Sequence, residues 1–163
     1  MKIVIISDIH DNIPNLQKCL DWSKGNSVEK IICCGDACNI DTVRYLSENF
    51  SGEIFLVRGN VDNYEDVSVL QFNNIRYFNR IGHFNIGNFR VGLCHEPFLI
   101  SKVLEENCKI IFYGHTHKPW IEDTEGIKLV NPGALSGLYY DIATFSVWEP
   151  ETGAIILKNI EEI

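Results

Sequence analysis

Long apolar runs are missing from this sequence. The first, Ile3-Val4-Ile5-Ile6, meets a carboxylate at Asp8, far short of the roughly 20 residues of a membrane span and shorter than the apolar segment of a secretory signal. The chain therefore reads as a cytoplasmic protein with no membrane partner. Basic residues are also few: 14 Lys and Arg against 22 Asp and Glu give a formal charge of -8 and a pI near 5.0. That balance excludes a binder of nucleic-acid backbones and a protein held to anionic lipid, both of which need a positive face. It becomes informative only if divalent cations reverse the field at the place an anionic substrate must approach. Repeats, low-complexity tracts and linker-like stretches are absent too. A length of 163 residues, 45% of them hydrophobic and 22% charged, fits one domain, 1–163, with a full core.

Cysteine is present six times, but without a secretory signal these residues read as free thiols rather than a disulfide framework. Cys33, Cys34 and Cys38 lack the Cys-x-x-Cys repeat of structural zinc sites and read as core and near-site thiols. Cys94 should face away from His95 by strand alternation and enter the core.

The β-branched run Lys2 to Ser7 predicts a strand buried on both faces, ending in Asp8-Ile9-His10-Asp11-Asn12. Pro14 can open a helix to about Lys24, with Leu16, Cys19 and Leu20 inward and Gly25 as its stop. A second strand, Lys30 to Cys34, ends in Gly35-Asp36. A second helix from about Asp41 to Phe50 follows, with Ile40, Val43, Leu46 and Phe50 at helical spacing. The third strand, Glu53 to Val57, ends in Arg58-Gly59-Asn60-Val61-Asp62. This order reads as βαβαβ with a parallel sheet, whose sites lie outside the carboxyl ends of the strands; Asp8, His10, Asp36 and Asn60 should share that edge. Residues 64–80 give no clear pattern. His83 to Ile86 and Phe89 to Cys94 flank the hairpin signal Gly87-Asn88 and deliver His95. Pro97 can open a helix to about Glu106, and Ile110 to Tyr113 leads into Gly114-His115-Thr116-His117. From Trp120 onward the pieces are strands joined by turns at residues 123–126 and 149–153, so antiparallel strands or a second sheet should join.

Two carboxylates (Asp8, Asp36), one amide (Asn60) and four imidazoles (His10, His95, His115, His117) thus gather at strand ends. One Asp-x-His at a strand end is usually no more than a polar loop; four strand ends contributing ligand types is a metal site. Seven oxygen and nitrogen ligands exceed one tetrahedral zinc and suit two ions sharing a carboxylate. A pair of ions about 3.5–4 Å apart can hold a hydroxide and clamp a phosphoryl group under in-line attack, the design of a phosphoester hydrolase.

Asp8-Ile9-His10, Gly35-Asp36, Gly59-Asn60-Val61-Asp62, His95, Gly114-His115-Thr116-His117 and Asn131-Pro132-Gly133-Ala134 resemble, in order and spacing, the motif set of the calcineurin-like metallophosphoesterases. With no inserted caps, the chain is most similar to the small single-domain bacterial and archaeal phosphodiesterases of that superfamily. The resemblance implies an α/β (α+β) fold, a four-layer αββα sandwich with mixed sheets. It implies that Asp8, His10 and His117 hold one divalent ion and that Asn60, His95 and His115 hold the other. Asp36 would bridge them, with Asp36, Asn60 and His95 acting at the reacting phosphoryl group. Asn131-Pro132-Gly133 would close the far side of the site. The ligand types admit manganese, iron, zinc, cobalt or nickel, with manganese the leading expectation.

Two positions depart from the family pattern. Val61 stands where many members carry a His, so it cannot protonate a leaving group; losing such help costs about 10² to 10⁴ in rate and favours diesters or good leaving groups. Cys94-His95-Glu96 replaces a common His-Gly-His, and an inward Glu96 would repel a dianionic monoester. Asp11 adds a second acidic group at the expected rim, so Glu96 and Asp11 are the candidate substrate contacts. His83 fits no motif, Lys118 reads as a solvated lysine, and Trp22, Trp120 and Trp148 read as packing. The expected activity is hydrolysis of a small phosphodiester, with a homo-oligomer compatible with it. The alternative is a non-catalytic scaffold such as the retromer's phosphoesterase-like subunit. Complete retention of the ligand set favours the enzyme. A mononuclear zinc hydrolase would need a different arrangement of His.

Overall fold

The computed structural model describes residues 1–104, 107–140 and 142–163. Its architecture follows from period-2 alternation in strands that are apolar on both faces. In β1 (Ile3–Ile6), Val4 and Ile6 face one way and Ile3 and Ile5 the other, all four fully buried. The parallel neighbours β2 (Lys30–Cys33) and β3 (Glu53–Leu56) repeat the division: Ile31, Cys33, Ile54 and Leu56 join Val4, while Ile32 and Phe55 join Ile3. A strand with two apolar faces needs a partner layer on each side.

Helices cover the first face. Helix α1 (Ile13–Gly25) takes Pro14 in its first turn, and its N-cap Asn12 accepts the Asn15 N–H at 3.1 Å; Leu16, Cys19 and Leu20 enter the core as expected. Helix α2 (Ile40–Asn49) lies beside it with Val43 and Leu46 inward. The first sheet is completed by β4 (Ile75–Tyr77), parallel to β3, and by the antiparallel pair β10 (Thr144–Glu149) and β11 (Ala154–Asn159), in the order β11-β10-β1-β2-β3-β4. A short helix α3 (Asp66–Val69) precedes β4. These two elements occupy the stretch whose pattern is unreadable, because each is only three or four residues long and shows no full period.

The second face meets the other sheet, ordered β5-β6-β7-β9-β8. The hairpin β5 (Ile81–Ile86) and β6 (Phe89–Cys94) turns at Gly87-Asn88, and β7 (Ile110–Phe112) runs parallel to β6. β9 (Ile127–Asn131) is parallel to β7, with β8 (Trp120–Thr124) at the edge. Phe84, Val91, Leu93, Ile110, Phe112 and Val130 meet Ile3, Ile5, Phe55 and Trp148 between the sheets. Phe55 stacks on Phe84 with centroids 4.0 Å apart, and Trp148 meets the rings of Phe89 and Phe112. On the outer face, Cys94, Cys108, Ile111 and Tyr113 pack against α4 (Ile100–Leu104), which continues a 3-10 turn at Pro97–Leu99. The expected end of that helix, at Glu106, lies outside the described residues. Three cores between four layers give the αββα sandwich with two mixed sheets.

Among the described residues the six cysteines form no disulfide, and five of them are buried. Trp148 is fully buried and Trp22 packs on Phe145, but Trp120 is half exposed because edge strand β8 has no neighbour beyond it. His83 bonds the Val103 carbonyl at 3.1 Å, joining β5 to α4. Because Trp148 fills the layer between the sheets, Trp148→Ala should lower the free energy of urea unfolding by about 3–5 kcal/mol. An effect below about 1 kcal/mol would show that the inter-sheet core repacks.

Candidate metal centre

Strands β1, β2 and β3 of one sheet and β6 and β7 of the other release their chains at one edge of the sandwich. There the backbone turns abruptly. Asp8, His10, Asp36, His115 and His117 all adopt left-handed conformations, with φ between +47° and +69°. Few non-glycine residues do so, Asp and His more readily than most, and such strain concentrates at functional sites. In Asp8-Ile9-His10 and in His115-Thr116-His117 two left-handed residues one apart curl the chain so that both side chains face inward. Two glycines permit the close approach. A Cβ on Gly59 would lie 2.0 Å from Asp36 Oδ1, and one on Gly114 would lie 1.9 Å from Ser7 Oγ.

One cluster joins Asp8, His10 and His117. His117 Nε2 is 3.2 Å from His10 Nε2 and 3.2 Å from Asp8 Oδ1, and His10 Nε2 is 3.8 Å from the same oxygen. Asp8 is fully buried; Oδ2 accepts the His115 N–H at 3.1 Å, but Oδ1 accepts no hydrogen bond. A buried carboxylate oxygen facing two imidazole nitrogens needs a cation or protons.

The second cluster surrounds Asn60. Its Oδ1 lies 3.0 Å from His95 Nε2 and 2.8 Å from His115 Nδ1, and His95 Nε2 is also 3.1 Å from Asp36 Oδ2. Asp8, Asp36 and His95 offer ligand atoms within 4.8 Å of one another, as do Asp8, His10 and His117, so Asp8 is common to both groups. Asp36 Oδ1 accepts the Val61 N–H at 3.0 Å, and Oδ2 faces His95 Nε2 at 3.1 Å.

Distal partners fix the imidazoles. His95 Nδ1 faces the Cys34 carbonyl at 2.8 Å, and His117 Nδ1 faces the Leu138 carbonyl at 3.4 Å. A carbonyl only accepts, so Nδ1 carries the proton and Nε2 presents its lone pair to the cavity, the arrangement of a metal-binding histidine. His10 Nδ1 meets Cys38 Sγ at 3.5 Å; burial and then the nearby Asp11, Asp36, Asp62 and Asp8 carboxylates push that thiol up to about 12, so it stays protonated. The chemistry and directions of these donors fit divalent cations.

Asp62 is a functional residue to which the sequence assigned no role. Its buried carboxylate accepts the N–H groups of Gly59 at 2.7 Å, Cys38 at 2.7 Å and Asp36 at 3.2 Å, tying together the two loops that carry Asp36 and Asn60. Its place three residues after Gly59 is the one available signal, that of a side chain folding back on its own turn. Asn131 braces the histidine loop through Gly114 O at 2.8 Å and Thr116 Oγ1 at 3.1 Å. Leu135 and Ser136 donate their N–H groups to Ser7 and Asp8 carbonyls.

A cavity of about 360 Å³ opens on this cluster, lined by His10, Asp36, Asn60, Val61, His115, Thr116, His117, Tyr139 and Tyr140. Neither expected acidic contact lines it. Glu96 is buried and ion-paired with Arg80, so the repulsion foreseen for it has no source in the cavity. Asp11 is turned to the start of α2, where it accepts the Asn39 N–H at 3.1 Å and Thr42 Oγ1 at 2.5 Å. Lys118 sits over the Trp120 ring, and among the described residues the lining includes no lysine or arginine. Tyr139 and Tyr140 had no sequence signal beyond following the Asn131-Pro132-Gly133 motif.

The model of the calcineurin-like phosphoesterase superfamily domain matches residues 1–153. Phosphodiesterase MJ0936 of Methanocaldococcus jannaschii is 25% identical, with 93% of this chain and 94% of that protein covered. A structure titled as a novel archaeal phosphodiesterase superposes with a TM-score of 0.88 at 23% identity, covering 98% and 99% of the two chains. Vps29 of Entamoeba histolytica, solved with Zn²⁺, gives 0.71 at 20% identity over 98% of each chain.

Electrostatics in the metal-free cluster favour protons. Burial lowers the His95 imidazole pKa, but its hydrogen bond to Asp36 and the Asp8 charge outweigh that and raise it above the ordinary 6.5. His117 is raised chiefly by the Asp8 carboxylate 3.2 Å away, against burial. Burial pushes Asp8 up, yet the His10 and His117 imidazoles hold it well below the usual carboxylate range. The histidine contribution to stability is complete below pH 6.5 and is lost as pH rises through the raised values. The Asp8 contribution is constant there, since it fades only in acid. Chelator-treated protein should therefore lose stability as pH rises above 6.5, whereas manganese-loaded protein should gain it, because cations displace those protons. Urea titrations at several pH values check both slopes; parallel slopes would refute competition between proton and metal.

Proposed function

The chain belongs to the calcineurin-like phosphoesterase superfamily, and from that membership we propose that it hydrolyses a small phosphodiester with two divalent cations bound at the cavity where both sheets end. One observation carries the reading: His10, Asp36, Asn60, His115 and His117 line a cavity that, among the described residues, holds no lysine or arginine, and Asp8 and His95 stand within ligand distance behind them. The natural relief for such a site, and the means for it to accept an anion, is bound cations.

Asp8, His10 and His117 would hold one cation, and Asn60, His95 and His115 the other. Asp36, whose Oδ2 faces His95 Nε2 while Oδ1 accepts the Val61 N–H, would serve both. When bound, the pair supplies Lewis-acid chemistry, lowering the pKa of a shared water and neutralising phosphoryl charge. The protein's own share is orientation. Cys34 and Leu138 carbonyls keep Nε2 of His95 and His117 directed inward, and Asp62 keeps the Asp36 and Asn60 loops in register. Val61 lines the cavity and has no proton to give, so a general acid is missing at that position, which favours aryl and other good leaving groups. A diester brings one negative charge where a monoester brings two, and no Lys or Arg is present to meet the second. The name of the archaeal relative supports the same choice of substrate.

The cluster's oxygen and nitrogen donors suit manganese, iron, zinc, cobalt or nickel, and manganese is the metal to try first. With manganese added, the protein should hydrolyse bis(4-nitrophenyl) phosphate, and faster than 4-nitrophenyl phosphate, while Asp36→Ala falls to the background rate. Equal rates for the two proteins would leave a non-catalytic scaffold as the better account. A monoester rate above the diester rate would overturn the substrate class.

A further inference from the structure

We infer that Tyr139 selects substrates in which one ester arm of the phosphodiester is a flat aromatic or heteroaromatic group; this rests on the phosphodiesterase reading of the same cavity. Besides ligand-type side chains and Thr116, the cavity lining holds Tyr139, Tyr140 and Val61. All three are exposed, Tyr139 by 84% of its surface. A bare tyrosine ring beside a polar site gains by being covered, and a planar partner covers it best.

The ring is placed there against a backbone preference. Tyr139 has a φ of +71°, a region that bulky residues rarely enter and that glycine would occupy without strain. Strain of this kind at a cavity wall points to a role for the side chain. Its position is also fixed relative to the metal ligands. The Leu138 carbonyl receives His117 Nδ1, the N–H groups of Leu135 and Ser136 bond to the end of β1, and the Tyr139 ring meets the His117 imidazole edge-on at 5.0 Å. A group bound through its phosphoryl oxygens next to His117 therefore has an aromatic surface within reach of its ester arm. Among the described residues, Tyr139, Tyr140 and Val61 give this part of the lining no charged side chain, so it suits an uncharged flat arm rather than a second phosphate.

The test uses manganese-loaded, full-length protein and three probes: diphenyl phosphate, dimethyl phosphate and inorganic phosphate, with affinities read by phosphorus NMR titration. Wild type should bind diphenyl phosphate about tenfold more tightly than dimethyl phosphate, the scale of one stacked ring. Tyr139→Phe should keep that ratio. Tyr139→Ala, which truncates an exposed side chain, should bring the two diesters within about twofold of each other and leave inorganic phosphate unchanged. A ratio that survives in Tyr139→Ala would overturn the inference. So would a parallel loss of inorganic phosphate, which would mean that the ring only steadies His117. Loss of the ratio in Tyr139→Ala, in a protein that hydrolyses neither aryl ester, would uphold the aromatic site and count against catalysis instead.

Discussion

Asp8 is fully enclosed by protein, with one carboxylate oxygen held by a backbone N–H and the other facing two imidazole nitrogens without a hydrogen bond. Burying an ionised carboxylate is costly unless positive charge meets it. Most of what surrounds the cavity follows from that constraint. The Asp8 charge raises the proton affinity of His95 and His117, and the carbonyl partners of their Nδ1 atoms leave Nε2 of each directed at the cluster.

The fold reaches this arrangement by bringing the carboxyl ends of parallel strands from two stacked sheets to one edge. Each sheet then adds local devices. Left-handed turns at Asp8, His10, Asp36, His115 and His117 bend the chain out of its extended path where the strands end, and these side chains gather at one edge. Gly59 and Gly114 let the Asp36, Ser7 and Asp8 side chains approach the backbone. Asp62 and Asn131 then lock the loops through backbone hydrogen bonds. Strain at the turns is offset by the rigid, doubly covered strands on which they sit, where Ile3 to Ile6 have no exposed surface at all.

Much of this was legible in the residues because buried strands announce themselves. Ile3 to Ile6, Lys30 to Cys33 and Glu53 to Leu56 each end in a polar ligand type, and the order of helices between them dictates a parallel sheet. The structure brings His117 beside Asp8 and His10, and His115 and His95 beside Asn60. What stayed hidden depends on tertiary contact. Glu96 reads as a rim carboxylate until Arg80, sixteen positions earlier, neutralises it. Asp11 reads the same way until Asn39 and Thr42 claim it. Asp66–Val69 and Ile75–Tyr77 are too short to show a period. Tyr139 and Tyr140 form a wall only because the loop after Gly133 folds back over His117.

The central claim is that two divalent cations share this edge of the sandwich. Anomalous X-ray scattering at the manganese edge, from crystals of the manganese-loaded protein, addresses it directly. The account predicts two peaks, one among Asp8, His10 and His117 and one among Asn60, His95 and His115, with Asp36 reaching both. A single peak, or manganese bound away from these residues, would contradict it.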